Sequence, residues 1–195
     1  FVHFVIPNLI EQFSTLYPNI EINLHTDLSH ELLKYVEKQE LNVSFVRGEI
    51  DTSLEKKLLS RDQIYIISKQ PVVLSELPSL PQIVYTKETS IVKASKRWWQ
   101  ERFSEPPKIR FRVHTGDACI QLVKKGLGYG IFSDGRYFNP EDGLYSLPLE
   151  YLDGSKFRRD SWMVYNKADL QNPIVAQFTQ FVLEHFTELC GGSPT

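Results

Sequence analysis

The segment 109–132 constrains the fold of this chain most strongly, because three elements follow one another there in a recognisable order. Residues 109–113 alternate apolar and basic side chains, which is the period of a half-buried strand. A helix is predicted to begin near Thr115, whose hydroxyl can cap it, and to end at Gly126, where a left-handed residue is favoured. The apolar run 129–132 indicates a second, buried strand. Such a β-α-β unit places a helix N-terminus at the carboxyl end of a strand, which suits an anion, although every α/β protein contains such units.

The rest of the chain continues the alternation of helices and strands. Helical spacing of apolar residues predicts helices over 6–17, 29–36, 91–103 and 173–189. Strand patterns occupy 20–24, 43–46, 64–68, 83–85, 144–149 and 162–165. The order helix–strand–helix–strand at the start of the chain predicts parallel pairing of its strands. The proline-rich stretch 71–81 indicates either a change of lobe or a surface loop.

These elements group into two α/β modules. We predict a lobe I of residues 1–68 and 162–195, and a lobe II of residues 69–161. The last strand and helix have no module of their own, so they are predicted to return to lobe I. Two crossings between lobes make a hinge, and the cleft between lobes is a favoured location for a small ligand.

Composition excludes several classes of protein. The 195 residues are 42% hydrophobic and 24% charged, which is ordinary for a soluble globular chain. The net charge of -2 gives no electrostatic case for binding nucleic acid. No apolar run approaches the roughly 20 residues of a membrane helix, so we predict no membrane association. The chain starts with Phe1, inside a helical pattern, which indicates a fragment of a longer protein.

Polar residues at strand ends and helix starts are the candidate ligand contacts of lobe I. Ser29 lies at a predicted helix start, where its alternative role is N-capping, worth about 1 kcal/mol. Arg47 follows a strand, beside Gly48. A planar guanidinium there can bind a carboxylate through two hydrogen bonds, and the alternative is a surface ion pair.

Lobe II offers more candidates of the same kind. One of the two arginines before the return crossover, Arg158 and Arg159, is expected to reach the cleft. The other candidates of lobe II are hydroxyls and backbone groups that follow strands or lie at helix starts. They belong to Thr86, Ser90, Thr115, Gly116 and Ser133. Hydroxyls combined with arginines predict an anionic metabolite, and a carboxylate is the specific hypothesis.

Two further residues carry alternatives. Cys119 lies in the first turn of its helix, where the dipole lowers a thiol pKa, but Cys190 is distant in the chain. A buried structural cysteine is therefore preferred over a redox sensor. His114 and Asp117 resemble a base and its orienting acid, but no nucleophile elbow, metal-ligand spacing or phosphate loop accompanies them. We therefore predict no catalytic residues, no metal and no cofactor.

Eight segments together resemble a known family in their order and spacing. The chain is similar, nearly end to end, to the effector-binding (regulatory) domain of LysR-type transcriptional regulators. The resemblance rests on residues 6–13, 17–24, 41–48, 81–85, 98–107, 119–129, 153–159 and 162–165. The last two of these segments are similar to members from low-GC Gram-positive bacteria.

The resemblance implies an α/β fold of two Rossmann-like lobes joined by two crossover strands, similar to type 2 periplasmic binding proteins. A small-molecule effector is expected in the cleft, where it changes lobe closure or the geometry of a dimer or tetramer. The resemblance further implies a cytoplasmic protein that contacts DNA only through an N-terminal winged helix-turn-helix domain, which these residues do not include. The usual first strand of the regulatory domain is also missing, and Asn42 stands where the family usually has Asp.

In this family the first helix commonly packs against the second lobe of a partner. The apolar residues Phe1, Val2, Phe4 and Val5 exceed what the first helix needs for its own core, so we predict a homodimer. Two other functions remain open on the same fold. A solute-binding protein of a transporter would carry a signal peptide upstream, and an enzyme would need a convergent set of acid, base or nucleophile.

Overall fold

The computed structural model describes residues 5–85, 89–133 and 140–189. Within these ranges no helix is long and apolar enough to cross a membrane. The α-helices are α1 Ile6–Leu16, α2 Ser29–Glu37, α3 Thr89–Arg102, α4 Gly116–Lys124 and α5 Pro173–Leu189. The strands are β1 Val43–Arg47, β2 Glu55–Gln63, β3 Tyr65–Ser68, β4 Pro81–Tyr85, β5 Lys108–Val113, β6 Gly130–Phe132, β7 Tyr145–Pro148 and β8 Arg158–Tyr165.

The chain forms two compact units. Unit 1 consists of Phe1–Arg61 and Asp160–Thr195, and unit 2 consists of Asp62–Arg159. The chain therefore passes from one unit to the other inside β2 and again inside β8. The divisions predicted from the sequence lie after residues 68 and 161. β2 was not predicted, because its sequence is rich in charge and its burial does not alternate regularly.

Unit 1 buries the apolar faces of its first and last helices. Leu9 and Phe13 of α1 share a core with Phe181 and Val182 of α5. The sheet beside them has the strand order β1-β8-β2, and β1 runs antiparallel to β8 with Arg47 opposite Ser161. This register places a cationic side chain directly across from a hydroxyl.

Two predictions for unit 1 are wrong. Residues 20–24 do not form a strand, and the strand that follows α2 pairs antiparallel, not parallel. Ile20 and Ile22 pack against the core as their alternation predicts, but Leu24 is 66% exposed. A strand requires backbone hydrogen bonds to a neighbour as well as an apolar face, and here only the apolar face is present.

Unit 2 contains the predicted β-α-β unit. β5, α4 and β6 form in that order, and β4 lies beside β5 in parallel. Tyr129 joins β4 to the antiparallel sheet β6-β3-β7 through hydrogen bonds with Pro81 and Ile83. Thr115 caps α4 by accepting from the Ala118 N–H at 3.2 Å.

The turn after α4 also forms as predicted. Gly126 has a φ of 72°, the left-handed conformation that ends a helix readily when the residue is glycine. Cys119, Ile120 and Val123 of the same helix are buried against Ile67, Ile83 and Phe132 of the sheet. The segment that most constrained the fold is therefore the one that its local pattern describes best.

Candidate functional site

Unit 1 holds one of the predicted arginines between two serine hydroxyls. Arg47, the last residue of β1, is only 9% exposed. Its backbone N–H donates to Ser29 Oγ at 3.2 Å, and its side-chain Nε donates to Ser161 Oγ at 3.1 Å. We call Ser29, Arg47 and Ser161 the Arg47 set. Both the backbone and the side chain of the arginine are held in place.

The local fold explains the Arg47 set. Ser161 is the cross-strand partner of Arg47 in the β1–β8 register. The strand end is held further by Gly48, whose N–H donates to Asp160 O at 2.8 Å and whose carbonyl accepts from Trp162 Nε1 at 3.0 Å. The alternative role of Ser29 as N-cap is not realised, because Leu28 occupies the N-cap position and Ser29 is the first residue of α2.

Unit 2 holds a second arginine, also between serines. Arg159 is 5% exposed, and it donates from Nη1 to Ser133 Oγ at 3.1 Å and from Nη2 to Ser90 Oγ at 2.6 Å. We call Ser90, Ser133 and Arg159 the Arg159 set. Of the two neighbouring arginines, Arg159 is the one that donates to the two serines, and Arg158 is half-buried.

The Arg159 set brings together residues from three elements. Ser90 lies in the first turn of α3, Ser133 directly follows β6, and Arg159 lies in β8. The two terminal nitrogens of the guanidinium each donate to a different hydroxyl, which fixes the plane of the group. A guanidinium of fixed plane can bind a carboxylate through two parallel hydrogen bonds, and burial strengthens such bonds by lowering the local dielectric.

Two other predicted residues belong to the start of α4. Thr115 and Gly116 form the cap and first residue of this helix, and Thr115 is exposed. Thr86 lies outside the described residues. A ligand role for these three residues therefore stays a prediction.

Cys119 is a buried structural cysteine, as preferred from the sequence. Its side chain is 0% exposed, and its thiol donates to Ile83 O at 3.5 Å. Burial raises the pKa of the thiol from 9.0 to about 12, because desolvation penalises the thiolate. Desolvation outweighs the helix dipole, so this thiol stays protonated at neutral pH.

Ser161 and Gln63 were not among the residues predicted from the sequence. Ser161 is 0% exposed and becomes a partner of Arg47 only through the strand register, which the chain order did not reveal. The side-chain nitrogen of Gln63 donates to three backbone carbonyls in unit 2. The predicted strand at 162–165 began one residue after Ser161, and an earlier start would have included it.

Comparisons with known proteins agree with this architecture. Residues 1–187 match the family model described as LysR substrate binding domain. The chain is 30% identical over 182 residues to YraN, an uncharacterized HTH-type transcriptional regulator of Bacillus subtilis (strain 168). That alignment covers 93% of this chain and 63% of YraN, so the chain spans less than two thirds of this relative.

Two solved structures are similar in fold. The effector binding domain of QuiR in complex with shikimate has a TM-score of 0.73 at 14% identity, covering 94% of this chain and 90% of that one. The reduced regulatory domain of OxyR2 from Vibrio vulnificus has a TM-score of 0.70 at 17% identity, with the same coverage. The fold is thus the two-lobed, periplasmic-binding-protein-like α/β fold that the resemblance implied. The chain belongs to the LysR substrate binding domain family.

Proposed function

We propose that this chain is the effector-sensing part of a DNA-binding transcriptional regulator, and that its effector carries a carboxylate bound by Arg159. The observation that carries the proposal is the Arg159 set, a buried guanidinium whose two terminal nitrogens each donate to a serine hydroxyl. The family and the naming of YraN as a transcriptional regulator support the regulatory part.

The chemistry of the Arg159 set favours an anion. An arginine stays charged at any physiological pH, and its planar donors match the two oxygens of a carboxylate. Serine hydroxyls are neutral, so they orient the guanidinium without cancelling its charge. They also accept and donate, so they can reorient when a ligand carboxylate approaches.

The Arg47 set is a second candidate contact for an anionic group. Its arginine is also buried, but the register with β8 directs its Nε to Ser161. We propose that it contributes less to effector affinity than the Arg159 set does. Thr86, Thr115 and Gly116 are proposed as further contacts on the sequence argument alone.

The whole regulator is proposed to be cytoplasmic and to bind DNA through a helix-turn-helix domain outside these residues. An effector drives such a switch only if it binds one arrangement of the protein better than another. We also propose a homodimer that uses α1, and a tetramer of the full-length protein. Val5 gives no support to the dimer, since it is 0% exposed in the core of unit 1.

Light scattering tests the dimer. Leu16, at the end of α1, is 59% exposed, and Leu16→Glu is expected to weaken a dimer that uses this helix. Ile174→Glu is the matched control, because Ile174 of α5 is 47% exposed. A chain that is monomeric at high micromolar concentration, or that dissociates equally in both variants, would count against α1 as the interface.

A thermal-shift screen against organic acids tests the proposed effector class. A ligand that binds only the folded state stabilises it by about 2.7 kcal/mol at a concentration of 100 times Kd. We expect stabilisation by one or a few carboxylates and loss of that stabilisation in Arg159→Met. Stabilisation by neutral compounds alone would rule out the carboxylate.

A further inference from the structure

Gln63 makes an unusual set of hydrogen bonds at the end of β2. Its single side-chain nitrogen, Nε2, donates to the carbonyl of Ile64 at 3.0 Å, of Leu149 at 2.7 Å and of Phe157 at 3.1 Å. An amide nitrogen carries two hydrogens, so three acceptors use both of them and one hydrogen is shared between two carbonyls. The orientation of the amide follows from this network, since its oxygen in the same place would face three other oxygens.

The three carbonyls belong to segments that are also hydrogen-bonded to one another. The Ile64 N–H donates to Phe157 O, the Phe157 N–H donates to Leu149 O, and the Leu149 N–H donates to Ile64 O, each at 2.9 Å. The backbone bonds thus form a closed ring of three segments. Gln63 Nε2 lies where the three carbonyls converge, so this side chain ties together the ends of β2, β7 and the start of β8.

This junction is directly connected to the Arg159 set. Phe157 lies two residues before Arg159 in the chain, so fixing its carbonyl fixes the start of β8. Phe157 also stacks on Trp98 of α3, with ring centroids 6.3 Å apart and planes 7° apart. Because α3 also carries Ser90, the junction is coupled to both the arginine and one of its hydroxyl partners.

Further hydrogen bonds join α3 to the hairpin that leads into β8. Trp98 Nε1 donates to Glu150 O at 2.7 Å, and the Glu150 carbonyl also accepts from Arg102. The base of the hairpin between Leu149 and Phe157 is therefore held both by Gln63 and against α3. Movement of this hairpin would shift Arg159 relative to Ser90.

We infer that Gln63 is a positioning residue for effector binding, which acts by holding the β8 start so that Arg159 faces Ser90 and Ser133. The inference rests on the proposed function of the Arg159 set as the carboxylate site. It assigns to Gln63 no contact with the effector.

Gln63→Met is the variant that tests this inference. Methionine has a similar length and shape but donates no hydrogen bond. Each of the three carbonyls keeps its backbone donor in the variant, so the domain is expected to fold. Gln82→Met is the matched control, because Gln82 is also buried in unit 2, at 6% exposed. The substitution is chemically the same, but Gln82 lies in β4, which pairs with β5 and not with β8.

The rate at which Arg159 reacts with phenylglyoxal depends on how its side chain is held, and it can be measured without any effector. Mass spectrometry of the 195-residue chain gives this rate for each arginine. We expect Arg159 to react about fivefold faster in Gln63→Met than in the wild type, the ratio given by loss of roughly one hydrogen bond. Arg47, buried in unit 1, is the internal reference and should not change. Gln82→Met should resemble the wild type.

Two outcomes would overturn the inference. One is an unchanged Arg159 rate in a folded Gln63→Met protein. The other is an equal rise at Arg159 and Arg47, which would indicate general loosening and not positioning.

Sulfate as an anion probe separates this inference from the proposed function. Sulfate is expected to protect Arg159 of the wild type, and Gln63→Met should need about fivefold more sulfate for equal protection. Equal sulfate requirements would overturn the positioning role. Absence of protection in the wild type would count against the carboxylate site itself. In that case the rates of reaction with phenylglyoxal in the absence of sulfate would still decide whether Gln63 positions the arginine.

Discussion

The two buried arginines, Arg47 in unit 1 and Arg159 in unit 2, are held by serines in different ways. Arg47 uses Nε to reach Ser161, its direct cross-strand neighbour. Arg159 uses both terminal nitrogens to reach Ser90 and Ser133, which are 69 and 26 residues away in the chain. The first arrangement follows from one strand pairing, whereas the second requires three elements of unit 2 to converge.

We propose that this difference makes Arg159 better prepared for a ligand than Arg47. Two hydrogen bonds from the terminal nitrogens fix the guanidinium plane of Arg159, and their acceptors come from two other parts of unit 2, whereas the bond from Arg47 Nε goes to its cross-strand partner. A group that is already ordered loses less entropy when it binds, which increases affinity. The comparison therefore predicts that Arg159 dominates effector binding and that Arg47 has a smaller role.

The largest expected effect is that of Arg159→Met. Loss of a charge-assisted, bidentate contact costs roughly 3 kcal/mol, so the Kd for the carboxylate should rise about 100-fold. Isothermal titration with the acid found in the screen measures this change. Arg158→Met is the control, since its half-buried side chain adjoins the same position, and an equal loss in both variants would contradict the assignment.

Arg47→Met is expected to have a smaller effect. The Kd for the same acid should rise about tenfold, which corresponds to about 1.4 kcal/mol. The same titration measures it, with unfolding in urea to verify that unit 1 remains folded. If Arg47→Met weakens binding more than Arg159→Met does, the ranking of the two sets is wrong.

A pair of serine variants separates binding from stability. Ser90→Ala removes the 2.6 Å hydrogen bond to Arg159 and should weaken acid binding about fivefold. Ser29→Ala removes an acceptor from the Arg47 backbone N–H and should lower the free energy of unfolding by about 1 kcal/mol, with a smaller effect on acid binding than Ser90→Ala. Titration and urea unfolding on both variants test the contrast, which fails if their effects are interchanged.

The smallest effect concerns pH and Cys119 of unit 2. The folded thiol has a pKa raised to about 12, so the unfolded chain releases its proton first as pH rises above about 9. The folded state then binds more protons than the unfolded state. Its stability is therefore complete below pH 9 and falls above it, by at most about 1.4 kcal/mol per pH unit.

Cys119→Ala removes this contribution. Urea unfolding between pH 7 and 10 should show a shallower decline above pH 9 in the variant than in the wild type. Burial also raises the pKa of Tyr129, so some decline near pH 10 is expected to remain in both proteins. Parallel curves over the whole range would show that the thiol is accessible to solvent.

The fold could be predicted where its determinants are local. Thr115 and Gly126 bound α4 as their chemistry requires, and alternation defined β5. β2 escaped prediction because its charged residues give no alternation, and residues 20–24 had the pattern of a strand but no pairing partner. Pairing depends on distant segments, so neither outcome is encoded in a short window.

The candidate site divides in the same way. Ser29, Arg47, Ser90 and Ser133 were predicted because they lie at strand ends and helix starts, and Arg159 was one of two arginines before the return crossover. The structure groups these residues into two sets. The grouping itself, and the parts of Ser161 and Gln63, depend on register and on packing between elements that are distant in sequence. The position of a residue at a strand end or a helix start indicates that it can contact a ligand. Strand register and packing determine which of these residues contact one another.

A paired titration of the wild-type chain tests the central proposal most directly. Each acid found in the screen is compared with its primary amide, which keeps the size and shape of the acid but has no negative charge. If Arg159 binds the carboxylate, the acid should bind about 100-fold more tightly than the amide, and Arg159→Met should remove that preference. Equal binding of acid and amide to the wild type would contradict the account, because the buried guanidinium would then have no part in recognising the effector.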